Sequence, residues 1–307
     1  MKYNKFILFA LGAMALAGCQ KGEEEIVEEK PDVVQPETAT WTLTVRAERN
    51  DGPLTRGLAM DGDKAKATAL QSIWKTGEEV KVYLGTACIG TRTATPDGTD
   101  AHLATLSGEI TTSGITPGET TLTLLTPRDS WDYAGQDGTL LDTDNSIEKK
   151  YHYTMASSVR VTGVSGSAIT AEEAHFINQQ SIYRFSFRYI NGSTKTSIST
   201  RSVTISAAGG HLVQSQVLGG STVEGPISVI RSEADTNPFF VALRNGDEQN
   251  DEVYTFTVVD GTGVTYRGTK EIPADYKTNG TFVSVKNATL DQRLDLSLSA
   301  TEVTTAL

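Results

Sequence analysis

The residue types that carry out catalysis are present, but none stands in a spacing that enzymes use. The chain of 307 residues has four histidines and two cysteines, and no histidine forms a His-Glu-x-x-His motif or lies near a cysteine nucleophile. A serine nucleophile elbow needs Gly-x-Ser-x-Gly, whereas Gly163–Ser167 lacks the last glycine. Asp142–Glu148 alternates oxygen ligands but lacks the glycine of a calcium loop. We therefore predict a protein that is not an enzyme and that uses no metal or cofactor.

The first chemistry that the sequence supports is acylation of a cysteine. Lys2 and Lys5 precede an apolar run over 7–16, which is too short to span a bilayer and is typical of a secretory signal. The following Leu16-Ala17-Gly18-Cys19 resembles the lipobox of bacterial lipoproteins, in which the cysteine becomes the acylated first residue. Residues 1–18 are thus predicted to be a lipoprotein signal peptide. The alternative is an ordinary signal peptide with a chance cysteine.

An acidic linker is predicted over residues 19–40. Gln20-Lys21-Gly22-Glu23-Glu24-Glu25 resembles the tag that sends lipoproteins of some Gram-negative anaerobes to the outer face of the outer membrane, and a plain solvated spacer is the alternative. The net charge of the whole chain is −11 and no basic patch is present, which argues against nucleic acid as a partner. We expect a surface-exposed protein of the outer membrane that is anchored in the membrane lipid through the acylated Cys19.

The second chemistry is cleavage of the backbone after an arginine. Arg56 lies within 50–58, where glycine, proline, aspartate and asparagine predict an exposed loop of the kind that proteases cut. Arg46 and Arg49 are alternative sites, and they are less favoured because they continue the pattern of the preceding strand. A solvated loop arginine with no such role is the alternative for Arg56.

The elements that must position these residues read as β-strands. Apolar and polar residues alternate with period two, the pattern of half-buried strands, and five Asp-Gly and three Asn-Gly pairs supply turns between them. The alternating runs include Trp41, Leu43 and Val45; Val80, Val82 and Leu84; Tyr183, Phe185, Phe187 and Tyr189; and Tyr254, Phe256 and Val258. We therefore predict an all-β protein of two sandwich domains, 41–175 and 176–307.

Two local features complete this expectation. Thr170-Ala171-Glu172-Glu173 has the spacing of a capping box and predicts a short helix over Glu172–Gln179. Cys88, the remaining cysteine once Cys19 is acylated, is expected to be a small buried apolar residue.

Several of these features occur together in one known family. The lipobox, the acidic spacer, the alternating first strand, the loop with Thr55-Arg56 and the run Trp74–Tyr83 (Trp-x-x-Gly-Glu-x-Val-x-Val-Tyr) together resemble the fimbrillin family. Fimbrillins are subunits and accessory proteins of protease-matured type V pili in Gram-negative oral and gut anaerobes. Tyr151–Ala156 also resembles a segment that the family carries late in its first domain.

The resemblance implies a fold and a mechanism. It implies two tandem Greek-key, transthyretin-like sandwiches in a pilus subunit that supports cell adhesion. An arginine-specific protease would cut after Arg56 and release the strand that carries Trp41, Leu43 and Val45. A strand from another fimbrial subunit, of the same or another kind, would then fill the groove by donor-strand complementation.

The candidate donor is the C-terminal segment. Leu294, Leu296 and Leu298 alternate strictly with polar residues near the terminus, and a plain last strand of the second domain is the alternative. Because few residues follow them, a tip or accessory subunit that donates no strand is also open.

The rival function is a surface-tethered binding lipoprotein, for a glycan or a host ligand, that does not polymerise. Its one hint is the run Trp131-Asp132-Tyr133, for which packing in the core is the alternative.

Overall fold

Strands dominate the chain, as the alternation predicts. The computed structural model describes residues 38–49, 59–60, 70–141, 143–246 and 249–294. Within these residues the regular elements are strands, apart from one π-helical turn (Ile147–Tyr151) and one short helix, α1 (Ala274–Lys277). The all-β prediction is therefore confirmed.

The strands fall into an N-terminal and a C-terminal set. The first set is β1 (Ala39–Arg49), β2 (Ala59–Met60), β3 (Leu70–Gln71), β4 (Glu79–Leu84), β5 (Ala87–Pro96), β6 (Leu103–Thr112), β7 (Thr121–Thr126), β8 (Ser130–Asp132), β9 (Thr154–Ser165), β10 (Ala168–Ala171) and β11 (Ala174–Asn178). The second set is β12 (Ser181–Asn191), β13 (Thr194–Ser197), β14 (Thr200–Ala207), β15 (Val213–Val217), β16 (Thr222–Glu224), β17 (Ile227–Asp235), β18 (Phe239–Leu243), β19 (Glu252–Asp260), β20 (Thr265–Ile272), β21 (Phe282–Leu290) and β22 (Gln292–Leu294).

The main sheet of the N-terminal set closes on itself. β1, β6, β5, β4, β7 and β9 follow one another as antiparallel neighbours. β10 and β11 pair with β9 on one side and run parallel to successive parts of β1 on the other. Since β10 and β11 follow one another in the same place between β9 and β1, they count as one strand of the closed sheet. The result is a seven-strand barrel rather than the open two-sheet sandwich that the sequence analysis expects. It closes because the long strand β1 finds backbone partners along both of its edges.

The predicted helix over Glu172–Gln179 is wrong, because these residues contain strand β11. Ala174 and Phe176 are buried, whereas His175 and Ile177 face outward, which is the period of a strand and not of a helix. The capping-box spacing is a local signal, and the backbone pairs that β11 makes with β1 and β9 outweigh it.

β12 is the central strand of the C-terminal set. β18 and β13 pair with it antiparallel along one edge, and β21 runs parallel to it along the other. A second sheet, in the order β17-β14-β19-β20-β22, supplies the other layer. Tyr183 and Phe185 of β12 contact Tyr254 and Phe256 of β19, so the two layers share one aromatic core.

The segment between β7 and β9 packs into that second core and not into the barrel. Trp131, Tyr133, Tyr151 and Tyr153 belong to the cluster around β12, and β8 pairs with β15. The barrel has its own core, to which β1, β4, β5, β6, β7, β9, β10 and β11 all contribute. The predicted boundary between 41–175 and 176–307 stays a prediction. Side chains from both of these ranges pack together in the core around β12.

Cys88 is exposed, so its predicted burial is wrong. It lies beside the β4–β5 turn, next to a register shift between Val82 and Tyr83. The alternation that buries Arg92 and Ala94 farther along β5 does not extend to Cys88.

Replacing Leu43 by alanine should lower the free energy of unfolding by about 2–5 kcal/mol, because it empties a fully buried place on the closing strand. Thr44→Ala, on the outward face of the same strand, is the matched control and should cost less than about 1 kcal/mol. Urea unfolding followed by tryptophan fluorescence measures both. Equal losses in the two variants would contradict the inward packing of β1.

Candidate functional site

β1 presents alternate side chains to the barrel core. Leu43, Val45 and Ala47 are fully buried there, and Trp41 is half-buried against the same cluster. The predicted inward residues of the first strand therefore lie where the alternation places them. The same phase extends to the end of β1, beyond the three residues that sequence reasoning singled out.

The backbone of β1 is paired along both edges. Ten consecutive residues, Ala39–Glu48, pair antiparallel with β6. On the other edge, Thr42–Thr44 pairs with β10 and Ala47–Arg49 pairs with β11. Loss of β1 would leave two strand edges with unpaired backbone groups and would empty the inward places at the same time. We call the place that β1 occupies, between β6 on one side and β10 and β11 on the other, the β1 slot.

β1 ends on a buried arginine. Only 4% of Arg49 is exposed, and its Nη1 donates to the carbonyl oxygen of Ile73 at 2.6 Å. Nη2 donates to the carboxylate of Glu78, and the guanidinium lies 3.9 Å from the centroid of the Trp74 ring. A planar guanidinium suits such combined pairing and stacking. The sequence analysis predicts Arg49 only as an alternative cleavage site, although the alternation from Trp41 to Ala47 places its side chain on the inward face of the strand.

Glu78 is the other half of this ion pair. Its Oε1 accepts a hydrogen bond from Thr126 Oγ1 at 3.1 Å, and its Oε2 accepts one from the backbone nitrogen of Lys75 at 3.4 Å. The side chain as a whole is 18% exposed, so Glu78 is largely removed from water. A carboxylate in this position needs a cation to offset the cost of desolvation, and Arg49 supplies it.

A cavity of about 330 Å³ opens beside the pair, and its lining includes Arg49, Glu78, Lys75, Glu148 and His152. Lys75 and Glu148 form an ion pair with each other. Of the residues that line the cavity, Arg49 comes from β1 and the others come from outside it. Removal of β1 would therefore take one positive charge out of this site.

His152 is buried at the same site in its neutral form. Burial is the main cause that lowers the pKa of His152 to about 3, and the positive charge of Arg49 acts in the same direction. The hydrogen bond between its Nε2 and Oδ1 of Asn178, 2.8 Å long, acts in the opposite direction. The imidazole therefore adds no charge at neutral pH and leaves Arg49 and Glu78 to pair with each other.

A second buried arginine, Arg92 of β5, lies next to β6 inside the barrel. Burial lowers the pKa of Arg92 to about 10, and the charge of Glu109 acts against this shift. Gly108, opposite Leu43 in the ladder, makes room for the guanidinium, since a Cβ there would lie 2.6 Å from Nη1 of Arg92. Its φ of +151° is also open to glycine alone.

The predicted cleavage and lipidation residues are placed as follows. Arg46 lies on the outward face of β1, and its Nε contacts Oε1 of Glu173 at 3.0 Å. Arg49 lies at the end of the same strand with a buried side chain. Arg56 and Cys19 lie outside the described residues.

The candidate donor segment begins on β22. Leu294 ends this strand, which pairs antiparallel with Thr265–Arg267 of β20, and its side chain is exposed. Leu296 and Leu298 lie outside the described residues.

The aromatic run that hinted at a surface ligand site is buried, because Trp131 and Tyr133 both belong to the second core. In the part of the chain that the structure describes, no group of three or more His, Cys, Asp or Glu side chains is arranged to hold a metal ion. None of the helices in those ranges has the length and apolar character needed to cross a membrane.

Comparisons with known proteins give distant structural likenesses. No protein-family model and no curated protein matches the chain. A "putative cell adhesion protein" from Bacteroides fragilis aligns over 81% of this chain and 93% of its own, with 13% identity and a TM-score of 0.38. Two proteins from Bacteroides ovatus, each described as a "putative adhesin", show 9% and 12% identity with TM-scores of 0.41 and 0.36. They cover 80% and 89% of this chain, and 87% and 99% of their own. Identities and TM-scores this low do not establish what this chain binds.

Acid should destabilise the protein partly through His152. Because the pKa of His152 falls from 6.5 in the unfolded chain to about 3 in the folded one, the unfolded chain binds more protons between these values. The free energy of unfolding that the neutral His152 contributes above pH 6.5 is therefore lost as the pH falls. The loss should be about 2 kcal/mol between pH 7 and pH 5. Urea unfolding at both pH values should show this loss reduced by about that amount in His152→Gln. An unchanged pH dependence in that variant would contradict the burial of a neutral imidazole.

Arg49 and Glu78 should be strongly coupled. Arg49→Gln alone should cost about 2–3 kcal/mol of unfolding free energy, the lower end for buried pairs, because Glu78 keeps some contact with water. The double variant with Glu78→Gln should recover about 1–2 kcal/mol relative to the sum of the single changes. Arg46→Gln, the same substitution at an exposed ion pair of the same strand, is the control and should cost under about 1 kcal/mol. Additive effects of the Arg49 and Glu78 changes would argue against the pair.

Proposed function

We propose that this chain is a structural subunit of a fimbrium that is matured by proteolysis, assembled by donor-strand exchange and used in cell adhesion. The observation that carries the proposal is that the barrel closes through its first strand, just ahead of a segment predicted to be cut. Loss of β1 would uncover two backbone edges and a row of apolar places together. An incoming strand with alternating apolar residues would pair with the two backbone edges and fill the apolar places.

Export precedes this step in the proposal. Signal residues 1–18 are removed and Cys19 is acylated, which holds the subunit at the cell outer membrane through the linker 19–40. The lipid would be released when the segment that joins it to the barrel is cut. The second half of the chain would be a Greek-key, transthyretin-like sandwich of the fimbrillin type, and the first half would be the barrel that β1 closes.

We place the cleavage after Arg56 because the two alternative arginines, Arg46 and Arg49, are held within the barrel. A protease binds its substrate as an extended backbone with the arginine side chain in a pocket. Arg46 has its backbone paired along both edges of β1, and the side chain of Arg49 is buried in contact with Trp74 and Glu78. Both would have to leave the barrel before they could be cut, whereas Arg56 lies beyond the end of β1.

The C-terminal segment is the proposed donor. Leu294 is exposed at the end of β22, and burial of Leu294, Leu296 and Leu298 would contribute roughly 1.5–3 kcal/mol each. Ordering of the segment subtracts from this gain, but a long paired strand dissociates slowly, which is what a fibre needs. The partners would be other fimbrial subunits, and the chemistry would be structural and not enzymatic.

The second candidate, a surface-tethered binding lipoprotein, gains no support from the aromatic run at 131–133. Trp131 and Tyr133 are both packed in the core, so they offer no stacking surface to a glycan.

Arg56→Ala should block assembly. The chain from Gln20 onward is treated with an arginine-specific protease, the cut is located by mass, and multimers are read as ladders on unboiled SDS gels. With no other donor strand present, wild type should be cut after Arg56 and form heat-sensitive multimers through its own C-terminal segment, whereas Arg56→Ala and Arg56→Lys should do neither. Arg46→Ala serves as the control and should behave as wild type.

Multimers of Arg56→Ala that equal those of wild type would overturn the maturation step. A clean cut of wild type with no multimers would instead point to a tip or anchor subunit.

A further inference from the structure

We infer that the β1 slot selects for a strand with a basic side chain at its fifth inward position, and therefore takes a strand from a different subunit in preference to the C-terminus of a second copy. This inference rests on the proposed function, because β1 must leave before another strand can enter. The juxtaposition that carries it is the mostly buried carboxylate of Glu78 at the end of the slot, paired with a guanidinium that belongs to the departing strand.

The slot has a definite order of places. From the start of β1, the inward side chains are Trp41, Leu43, Val45, Ala47 and Arg49. The first two are large, the third is of medium size, the fourth is small and the fifth is cationic. The four apolar places accept any residues of suitable volume. The fifth place differs in kind, since it holds a charge that the barrel matches with a charge of its own.

Among the residues that the structure describes, Arg49 is the one cation that forms an ion pair with Glu78. The other hydrogen bonds that the Glu78 carboxylate accepts within the described ranges come from the hydroxyl of Thr126 and the backbone nitrogen of Lys75, both of which are neutral donors. The ammonium of Lys75 is already paired with Glu148. A strand that brings no cation would thus leave a desolvated carboxylate without its counter-charge, and a strand that brings an acid would place two carboxylates together.

The C-terminal segment of this chain fits the apolar places but fails at the fifth. When Leu294, Leu296 and Leu298 take the places of Trp41, Leu43 and Val45, Ala300 falls on the small place of Ala47. The next inward residue is then Glu302, opposite Glu78. The three leucines and Ala300 suit the apolar places in volume, whereas Glu302 brings a negative charge to the place where β1 has a positive one.

No other alignment of the segment corrects this. Residues 293–307 contain one basic residue, Arg293, which is adjacent to Leu294 and so has the opposite phase from the three leucines. Because the side chains of a strand alternate between its two faces, Arg293 points away from the barrel whenever the leucines point in, whichever way the strand runs. The matching donor, in the direction of β1, has apolar residues at its first, third and fifth positions, a small residue at its seventh and Arg or Lys at its ninth.

The inference is tested by strand exchange with peptides. The full mature chain is cut after Arg56, the protease is inhibited, and the nicked chain is unfolded in urea and diluted into fluorescent peptides. Four peptides have the sequence of Ala39–Arg49 with Arg, Lys, Gln or Glu at the last position. A fifth has the sequence of 293–303, and a sixth is the same peptide with Glu302→Lys. Fluorescence anisotropy gives the affinities.

We expect the Arg peptide to bind most tightly, because its guanidinium also stacks on Trp74, and the Lys peptide to come next. The Gln peptide should bind about tenfold more weakly than the Arg peptide, and the Glu peptide more weakly still. Glu302→Lys should strengthen binding of the C-terminal peptide by about tenfold. A barrel with Glu78→Gln should lose most of this discrimination while it still binds the Arg peptide, which a purely steric effect at this place would not produce.

The outcomes separate the two proposals. If the native Ala39–Arg49 peptide does not bind, strand exchange and the proposed function fail. If all six peptides bind alike, exchange stands and the charge selection is overturned.

A measurement in the intact chain needs no cleavage. Arg49→Glu should be less stable to urea than Arg49→Gln, and Glu78→Gln should remove the difference between them. Equal stability of the two Arg49 variants on the native Glu78 background would also overturn the inference.

Discussion

The barrel depends on one constraint: a sheet that closes on itself has no free backbone edge only while every strand is in place. β1 is the strand that completes it, because it pairs with β6 along one edge and with β10 and β11 along the other. The inward residues of β1 also fill the core between these neighbours. One strand close to the proposed cleavage site thus carries backbone pairing and apolar packing at the same time.

The ends of β1 play different physical roles. Its apolar residues contribute burial, which depends on area and volume and tolerates exchange among residues of similar size. Arg49 and Glu78 contribute little net stability compared with a packed apolar pair, but breaking the pair leaves a charge with few contacts to water. In the proposed exchange, packing in the slot therefore favours strands in general, while Glu78 discriminates among them by a penalty on the wrong charge.

Much of the fold follows from the alternation in the sequence. The inward phase of β1 and the aromatic face of β12 are direct consequences of the two-residue period of a strand, so they could be assigned without coordinates. The helix expected at 172–179 failed because a capping-box spacing is a local preference, and β11 is held by long-range pairs with β1. Cys88 was misplaced because a register shift at the β4–β5 turn interrupts the alternation.

The sequence by itself determined the all-β class, the inward residues of the first strand and the absence of a recognisable catalytic motif. It also predicts acylation of Cys19 and cleavage after Arg56, and both of these stay predictions. The tertiary structure alone decided that the first sheet is a closed barrel, that β1 closes it and that Arg49 pairs with Glu78. The physical reason is one of range: alternation and short motifs are properties of neighbouring residues, whereas closure and a buried ion pair depend on strands that are far apart in the chain and are brought together by packing.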